Sequence, residues 1–536
     1  MNSLTSKTTV LASLILLFSC LQALSQGNGQ KVFNPETDSI SLVHEFRGAW
    51  LTTVKGYDWP KGITINLSRL PGENGGQYRR RVRMQRDSQQ TALVNVIRQI
   101  HETGCNVVIL QLCCNSEVFY KSDILPWDHN LTGVQGEDPG YDPLQLAIET
   151  AHSLGMQIHG WFNPMRVGFV TNERTPDHLC FRHPERVQTY GNVMYWDPGN
   201  PEVISYLYEL IYEVMSKYDL DGAHIDDFFY PAGLRDKDMI PILKDSLQKA
   251  SSEEEKKSLE EKIAKLDDGK IWDDSELFSL YGNGLDLAQW RESNVNKIIS
   301  AMYKAVHDAK PDAVFGVSPR GRIEHTKRLY ADPRWWIQEK TIDYLAPQIY
   351  WTHSDKENPF YPVLYTWEKL MDGVPALPGL ASYLYGKEGF ESMGEYHKQV
   401  DESRQAPFVC GNIWFSSSDM FPDSFTGYAR EKIYPYRSLV PILGTSTFPA
   451  PKPPVLRYFS GGLKWNRVPD ADSYAVYKLE EPIVIGQQKE KLTWKANLIL
   501  VTDQNRIKNV PAGNYIVVSR RGKMISSPSN VVCIEN

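Results

Sequence analysis

Eight short apolar runs, spaced so that a helix fits between each and the next, constrain the fold of this chain more than any other feature. They are "RGAWLTT" (47–53), "NVVILQL" (106–112), "QIHGWFN" (157–163), "GAHIDDF" (222–228), "AVFGVSP" (313–319), "YLAPQIY" (344–350), "ALPGLASY" (376–383) and "FVCGNIWF" (408–415). Between the first two, Leu93, Val94, Ile97 and Ile100 fall at helical spacing, and Gly104 stops the helix before the next strand. Leu144, Ala147, Ile148, Ala151 and Leu154 repeat the plan, with Gly155 as the stop. Eight such units predict an α/β fold, a (β/α)8 barrel. A doubly wound sheet also alternates, but neither GxGxxG nor GxxxxGK[ST] follows the first strand.

Polar and aromatic residues gather where these strands end: Asn163, Asp226, Asp227, Ser318, Gln348, Trp351 and Ser416. The C-terminal rim of a barrel is where active sites are built, so this clustering points to an enzyme.

The densest such end is "LDGAHIDDFFYP" (220–231). Alternate strand residues share a face, so His224 and Asp226 are expected to point to the barrel axis, Ile225 to the helices, and Asp227 to the rim. Two close carboxylates disfavour double ionisation, and a carboxyl still protonated near neutral pH can protonate a leaving-group oxygen. Asp226 is therefore the expected acid, Asp227 its support, and Phe228, Phe229 and Tyr230 the expected cleft wall. The alternative for either aspartate is a loop or helix cap. Further rim candidates for contacts to a sugar are Gln111, His159, Trp161, Asn163, Arg166, Ser318, Arg320, Gln348, Tyr350 and Trp351. Arg47, in strand one, is a candidate contact or the structural partner of Glu45. No second carboxylate stands out across the cleft; Glu117, Glu324, Asp343 and Asp355 are the options, or the substrate's own N-acetyl group serves as nucleophile.

Charge narrows the partners. The formal net charge is −7, from 58 Lys and Arg against 65 Asp and Glu, which gives no reason to expect nucleic acid. Fourteen Trp and 28 Tyr suit sugar-lined sites as well as an ordinary core. The six cysteines after Cys20 show neither CxxC spacing nor clustered histidines, so neither a metal nor a cofactor is expected.

The first residues, "MNSLTSKTTVLASLILLFSCLQALSQGNGQ", combine Lys7, an apolar run at Val10–Phe18 and a small-residue "ALS" ending at Ser25. They predict a signal peptide over 1–25 and an exported, periplasmic or extracellular protein without a membrane span. Cleavage near Ser25 is favoured over a lipid anchor at Cys20, because Phe18 is bulky for a lipidation site. Residues 26–43 follow as a short N-terminal segment, 44–447 as the barrel, and 232–285 as a charged helical insertion within it. "FPAPKPP" encloses a proline-rich linker (448–454), and 455–536 alternates as strands and turns, predicting a small all-β sandwich domain.

"EFRGAWLTTVKGYDWP", "LTGVQGEDPGYDPLQLAIETAHSLGMQIHGWFNP", "LDGAHIDDFFYP", "WRESNVNKII", "FGVSP" and "IDYLAPQIYW" together resemble the glycosyl hydrolase-like 10 family of exported bacterial barrels. The C-terminal tail resembles a fibronectin type III sandwich. The first resemblance implies hydrolysis of O-glycosidic bonds in a bacterial glycan, such as peptidoglycan strands lacking peptides. It places Asp226 and Asp227 at the acidic end of strand four, His159, Trp161 and Asn163 in an "HAWFNP"-like segment, and Gln348, Tyr350 and Trp351 in "PQIYW". Two segments depart from the family, after strand two and after strand five. Cys113 and Glu117 stand where Arg and Asp are common, and Arg320 where an aromatic is frequent. The readings of other classes are a glycan-binding barrel without turnover and a metal-dependent deacetylase, the latter weakened by the lack of a ligand cluster.

Overall fold

The computed structural model describes residues 33–34, 38–176, 178–234, 239–266, 271–480 and 492–535. The expected signal peptide and Cys20 lie outside them. The described chain divides into two compact units, one of 44–450 with 521–524, the other of 38–43, 451–520 and 525–535 with their neighbours.

The first unit is the barrel. Its strands are β1 (Phe46–Leu51), β2 (Val107–Cys113), β3 (Gln157–Phe162), β4 (Gly222–Ile225), β5 (Val314–Val317), β6 (Tyr344–Leu345), β7 (Gly379–Leu380) and β8 (Gly411–Trp414). Each pairs in parallel with its sequence neighbours, and β8 pairs with β1. Parallel bridges Leu345↔Ala376 and Gln348↔Gly379 join β6 to β7 and close the ring. β6 and β7 are shorter than expected because Pro347 and Pro378 have no N–H to give a ladder.

A helix follows every strand: α1 (Gly75–Glu102), α2 (Pro143–Ser153), α3 (Pro201–Lys217), α4 (Leu287–Ala309), α5 (Pro333–Gln338), α6 (Phe360–Glu368), α7 (Met393–Gln405) and α8 (Asp423–Tyr428). Local chemistry sets their starts. Asn74 with Gln77, and Asp286 with Gln289, form capping boxes at α1 and α4. Gly104 takes φ +98° after α1, where a Cβ would also meet Tyr434 Cβ at 2.8 Å.

The pleat sorts the strand residues into two cores. Val108, Leu110, Leu112, Ile158, Ile225 and Phe315 face the helices. Phe46, Trp50, Val107, Ile109, Trp161, Val314, Tyr344, Leu377 and Ile413 fill the barrel interior. Gly316 has no side chain because the Tyr344 ring fills its place; a Cβ there would lie 1.9 Å from Tyr344 Cζ.

The 232–285 insertion contains helices Met239–Lys249, Glu253–Leu266 and Ser275–Tyr281. Its end is anchored. Trp272 is buried against Tyr230 (ring centroids 5.5 Å apart), and Asp274 pairs with Arg291 on α4. A second excursion escaped the sequence reading: Arg166–Phe169, Val187–Tyr190 and Val193–Trp196 form a three-stranded antiparallel sheet between β3 and α3. Among the described residues no helix is long and apolar enough to cross a membrane.

The second unit is all-β. Leu456–Phe459, Gly462–Trp465 and Arg506–Lys508 form one antiparallel sheet. Ser473–Leu479 lies between Thr493–Thr502 and Gly513–Arg521 in the other. Leu463, Trp465, Tyr474, Val476, Tyr515 and Val517 fill its core. Ser39–Leu42, from the segment before the barrel, pairs in parallel with Thr493–Ala496.

Candidate active site

Strand ends bring Gln111, Asn163, Asp226, Asp227 and Gln348 to one mouth. Asn163 is the first residue after β3, and Asp226 the first after β4. Asp226 is half-buried. Its Oδ2 accepts the Nδ2–H of Asn163, and its Oδ1 accepts the Phe228 N–H at 3.3 Å. Burial, and next the Asp227 charge, push the Asp226 carboxyl up to about 7, against the pull of Arg166.

Asp227 turns the other way. Its Oδ2 accepts from Arg320 Nε (2.7 Å) and its Oδ1 from Gln348 Nε2 (3.1 Å), so the loops after β5 and β6 both hold it. Gln348 Nε2 also donates to the Ser318 carbonyl at 3.2 Å.

Behind Asp226 runs a chain of amides. Gln111 Oε1 accepts the N–H groups of Thr53 and Val54, each at 2.9 Å, while its Nε2 donates to Asn163 Oδ1 at 2.7 Å. Arg166 Nη2 donates to the same Asn163 oxygen (3.1 Å), and its Nε to the Cys114 carbonyl (2.7 Å). The Arg166 guanidinium also lies 4.8 Å from the Phe228 ring centre, and Phe228 stacks on Tyr195 (5.6 Å, 14°). Tyr350 stacks on Phe415 (5.8 Å, 21°) and meets Tyr383 edge-on. Burial, Tyr383 and both aspartates raise the affinity of its hydroxyl for its proton.

Six expected contact residues do not reach this mouth. Arg47, 2% exposed, lies at the opposite end, bonded to Glu45 (2.7 Å) and the Tyr436 carbonyl (2.5 Å). His159, His224 and Trp161 face the barrel axis as expected but are buried in its packed interior. Trp50 Nε1 can only donate, so His224 Nε2 accepts from it (3.1 Å). His224 Nδ1–H then donates to Tyr344 Oη, which donates to His159 Nδ1, each at 3.0 Å. Burial lowers His159 to about 4 and His224 well below the usual range, so both are neutral core groups. Ser318 is buried and donates to the Ala346 carbonyl (2.8 Å). Tyr230 is buried, its hydroxyl accepting from Asn294 Nδ2 at 3.3 Å. Phe229 packs on Trp336 on the outer side, so of the three expected wall rings only Phe228 belongs to the site. Trp351 is half-buried with His325 edge-on to it at 6.5 Å, outside the carboxylate network.

The candidates for a second carboxylate are all engaged. Asp343 accepts the Phe315 N–H (2.7 Å) at the start of β5, so it sits at the N-terminal end of the strands, away from the mouth. Glu324 pairs with Arg322 at 3.3 Å, and Asp355 accepts the N–H groups of Glu357 and Asn358. Glu117 is buried and accepts from both the N–H and Nδ1 of His129. Among the described residues, Glu117, Asp128 and His129 present atoms within 4.8 Å of one another, a group that could hold a metal. Their bonds are those of a local cap: Asp128 Oδ1 accepts the Asn130 N–H at 2.8 Å. One rim carboxylate escaped the sequence reading although it lies in the quoted "GYDWP". Buried Asp58 accepts from Thr52 N (2.8 Å) and Ser416 Oγ (3.1 Å), tying the loops after β1 and β8.

Comparison with known proteins gives the chain's family. The sequence profile described as "Glycosyl hydrolase-like 10" matches residues 45–375. Glycosyl hydrolase YngK of Bacillus subtilis (strain 168) is 30% identical over 442 residues, 77% of this chain and 76% of that protein. Glycosyl hydrolase DigH of Escherichia coli (strain K12) is 30% identical over 409 residues, 69% of this chain and 82% of that protein. Among solved structures, the catalytic domain of a beta-amylase from Paenibacillus polymyxa aligns with 73% of this chain and 99% of its own, at 10% identity and a TM-score of 0.43. The matched residues 45–375 span the strands that carry Asp226, Asp227, Asn163 and Gln348, and the chain belongs to the glycosyl hydrolase-like 10 family.

Proposed function

We propose that this protein is an exported glycoside hydrolase that cleaves O-glycosidic bonds in a bacterial cell-wall or other complex glycan, with Asp226 as general acid and base. The observation that carries the reading is the unequal pair at the mouth. Asp226 keeps its proton to about pH 7, while Asp227 spends both oxygens on Arg320 and Gln348. A half-buried carboxyl that is still protonated near neutrality can donate to the leaving-group oxygen as the glycosidic C–O bond breaks, then take a proton from the incoming nucleophile. Membership of a glycosyl hydrolase-like family supports the reaction class, and the N-terminal sequence pattern supports export. The two-sheet order of the second unit supports a fibronectin-III-like spacer.

The test is release of reducing ends from peptide-free peptidoglycan strands and a panel of polysaccharides. Wild type should release them, and Asp226→Asn should bind the same glycan without release. Binding by wild type with no release from any glycan would instead favour a non-catalytic glycan-binding barrel.

A further inference from the structure

Gln111 and Asn163 have the residue types of sugar ligands, yet neither presents its amide to the cleft. Both are nearly fully buried, and every polar atom of the two side chains that lies along the chain of amides is engaged. The direction of each amide is forced. Two backbone N–H groups, which can only donate, meet Gln111 at one atom, so that atom is its oxygen. Its nitrogen must then face Asn163. Arg166, also donor-only, meets Asn163 at the atom Gln111 uses, so that atom is the Asn163 oxygen. The Asn163 nitrogen is left facing Asp226 Oδ2.

We infer that Gln111 and Asn163 are positioning residues that transmit the fixed polarity of the Thr53–Val54 backbone to Asp226, holding Oδ2 as the closer acceptor and leaving Oδ1, which meets only the longer Phe228 N–H at 3.3 Å and keeps a free lone pair, to carry the transferable proton. The inference rests on Asp226 being the acid. A donor aimed at one oxygen does two things. It fixes the carboxyl rotamer, and it favours the charged form, opposing burial and Asp227. The other charged and titratable groups around Asp226 are Arg166 after β3, Asp227 beside it with Arg320 after β5, and Tyr350 after β6. Arg166 acts in the same sense as Asn163, both as a cation and by locking the Asn163 oxygen away from the carboxylate.

The sharpest variant is Gln111→Glu. Glutamate still accepts from Thr53 and Val54 but sets an acceptor against the Asn163 oxygen; that repulsion opposes the Arg166 bond and drives Asn163 to turn its nitrogen to the new carboxylate and its oxygen toward Asp226, which favours the protonated acid. Asn163→Ala removes the donor outright and serves where Gln111→Glu does not fold. The first readout needs no turnover: infrared difference titration of the protonated-carboxyl band of Asp226, identified by its loss in Asp226→Asn. The midpoint should rise by about one pH unit in either variant, the usual size of one lost charge-assisted hydrogen bond. The second readout is hydrolysis of peptide-free peptidoglycan strands. The alkaline limb of kcat/KM should move up with the titration and kcat should fall, with KM within about twofold of wild type. An unmoved midpoint in folded variants overturns the inference, as does a raised KM with an unmoved limb, which would make the two residues substrate ligands. Full activity in Asp226→Asn overturns the proposed role of Asp226 instead, whatever the titration shows.

Discussion

Asp226 and Asp227 are neighbours in the chain but bonded to opposite sides of the barrel mouth. Asp226 receives the Asn163 amide from the β3 side, whereas Asp227 receives Arg320 and Gln348 from the β5 and β6 sides. A strand end makes this possible, because successive side chains diverge. The two carboxyls are thus close enough for one charge to oppose the other, yet each has its own hydrogen-bond environment. That separation lets one hold a proton while the other acts as a fixed anion.

Asp226→Asn should abolish hydrolysis and stabilise the fold. Its carboxyl binds a proton more tightly in the folded protein, up to about 7, than in the unfolded chain. Below pH ~4 both states are protonated and the group costs nothing; as pH rises toward 7, the unfolded chain ionises while the native carboxyl resists, and stability is lost. Asparagine removes that cost. The variant should therefore melt close to wild type at pH 4 and higher at pH 8, by on the order of 1–3 kcal/mol after allowance for partial solvent exposure. Paired thermal unfolding at the two pH values checks the sign; a variant less stable than wild type at pH 8 contradicts it.

Asp227→Asn should move the alkaline limb of the rate profile in the opposite direction from Gln111→Glu. It deletes the adjacent negative charge and leaves Arg320 uncompensated beside the acid. Asp226 then releases its proton more readily, and the limb moves from near 7 toward lower pH, by roughly one unit. Residual activity should be highest in mildly acidic buffer. A pH profile of kcat/KM for the two variants, read side by side, tests both signs at once.

The barrel was legible because its signals are periodic. All eight strands lie where apolar runs end in polar residues, and Ile225 faces the helices as the alternation requires. Depth within the barrel was not legible. Periodicity placed His159, Trp161 and His224 on the inward face, but all three lie one to three positions below the ends of their strands, inside the packed interior, whereas Asn163 and Asp226, the first residues past those ends, reach the mouth. Gln111 and Asn163 were found by residue type and assigned to substrate, because a sequence does not show which polar groups already have partners. The sheet joining Arg166–Phe169 to Val193–Trp196 escaped notice because its strands are four residues long and carry no clear alternation. Tyr195 went unnoticed with it.

Tyr344→Phe separates core from site. The hydroxyl accepts from His224 and donates to His159, so its removal strands two buried ring nitrogens. Each unsatisfied buried group costs about 1–3 kcal/mol, so a loss of roughly 2–6 kcal/mol is expected. The alkaline limb should not move, because neither histidine bonds to Asp226 or Asp227. Thermal unfolding and the pH profile of the folded fraction measure the two effects separately. A shifted limb with unchanged stability would return the histidines to the site.

Arg291→Met probes how the insertion is held to the barrel. Arg291 on α4 is 1% exposed and donates through Nε and Nη2 to the two oxygens of Asp274, both at 2.8 Å, and through Nη1 to the Tyr330 hydroxyl at 3.1 Å. Removing it leaves a buried carboxylate without its cation, which costs about 3–5 kcal/mol, more than the pair contributes over a well-packed apolar replacement. The double variant Arg291→Met with Asp274→Leu should therefore recover most of the loss. If instead the double variant is as unstable as the single, the ion pair itself, and not the stranded charge, holds the foot of the insertion. Thermal unfolding of the three proteins distinguishes the cases, and limited proteolysis across 239–266 reports whether the insertion has come loose while the barrel stays folded.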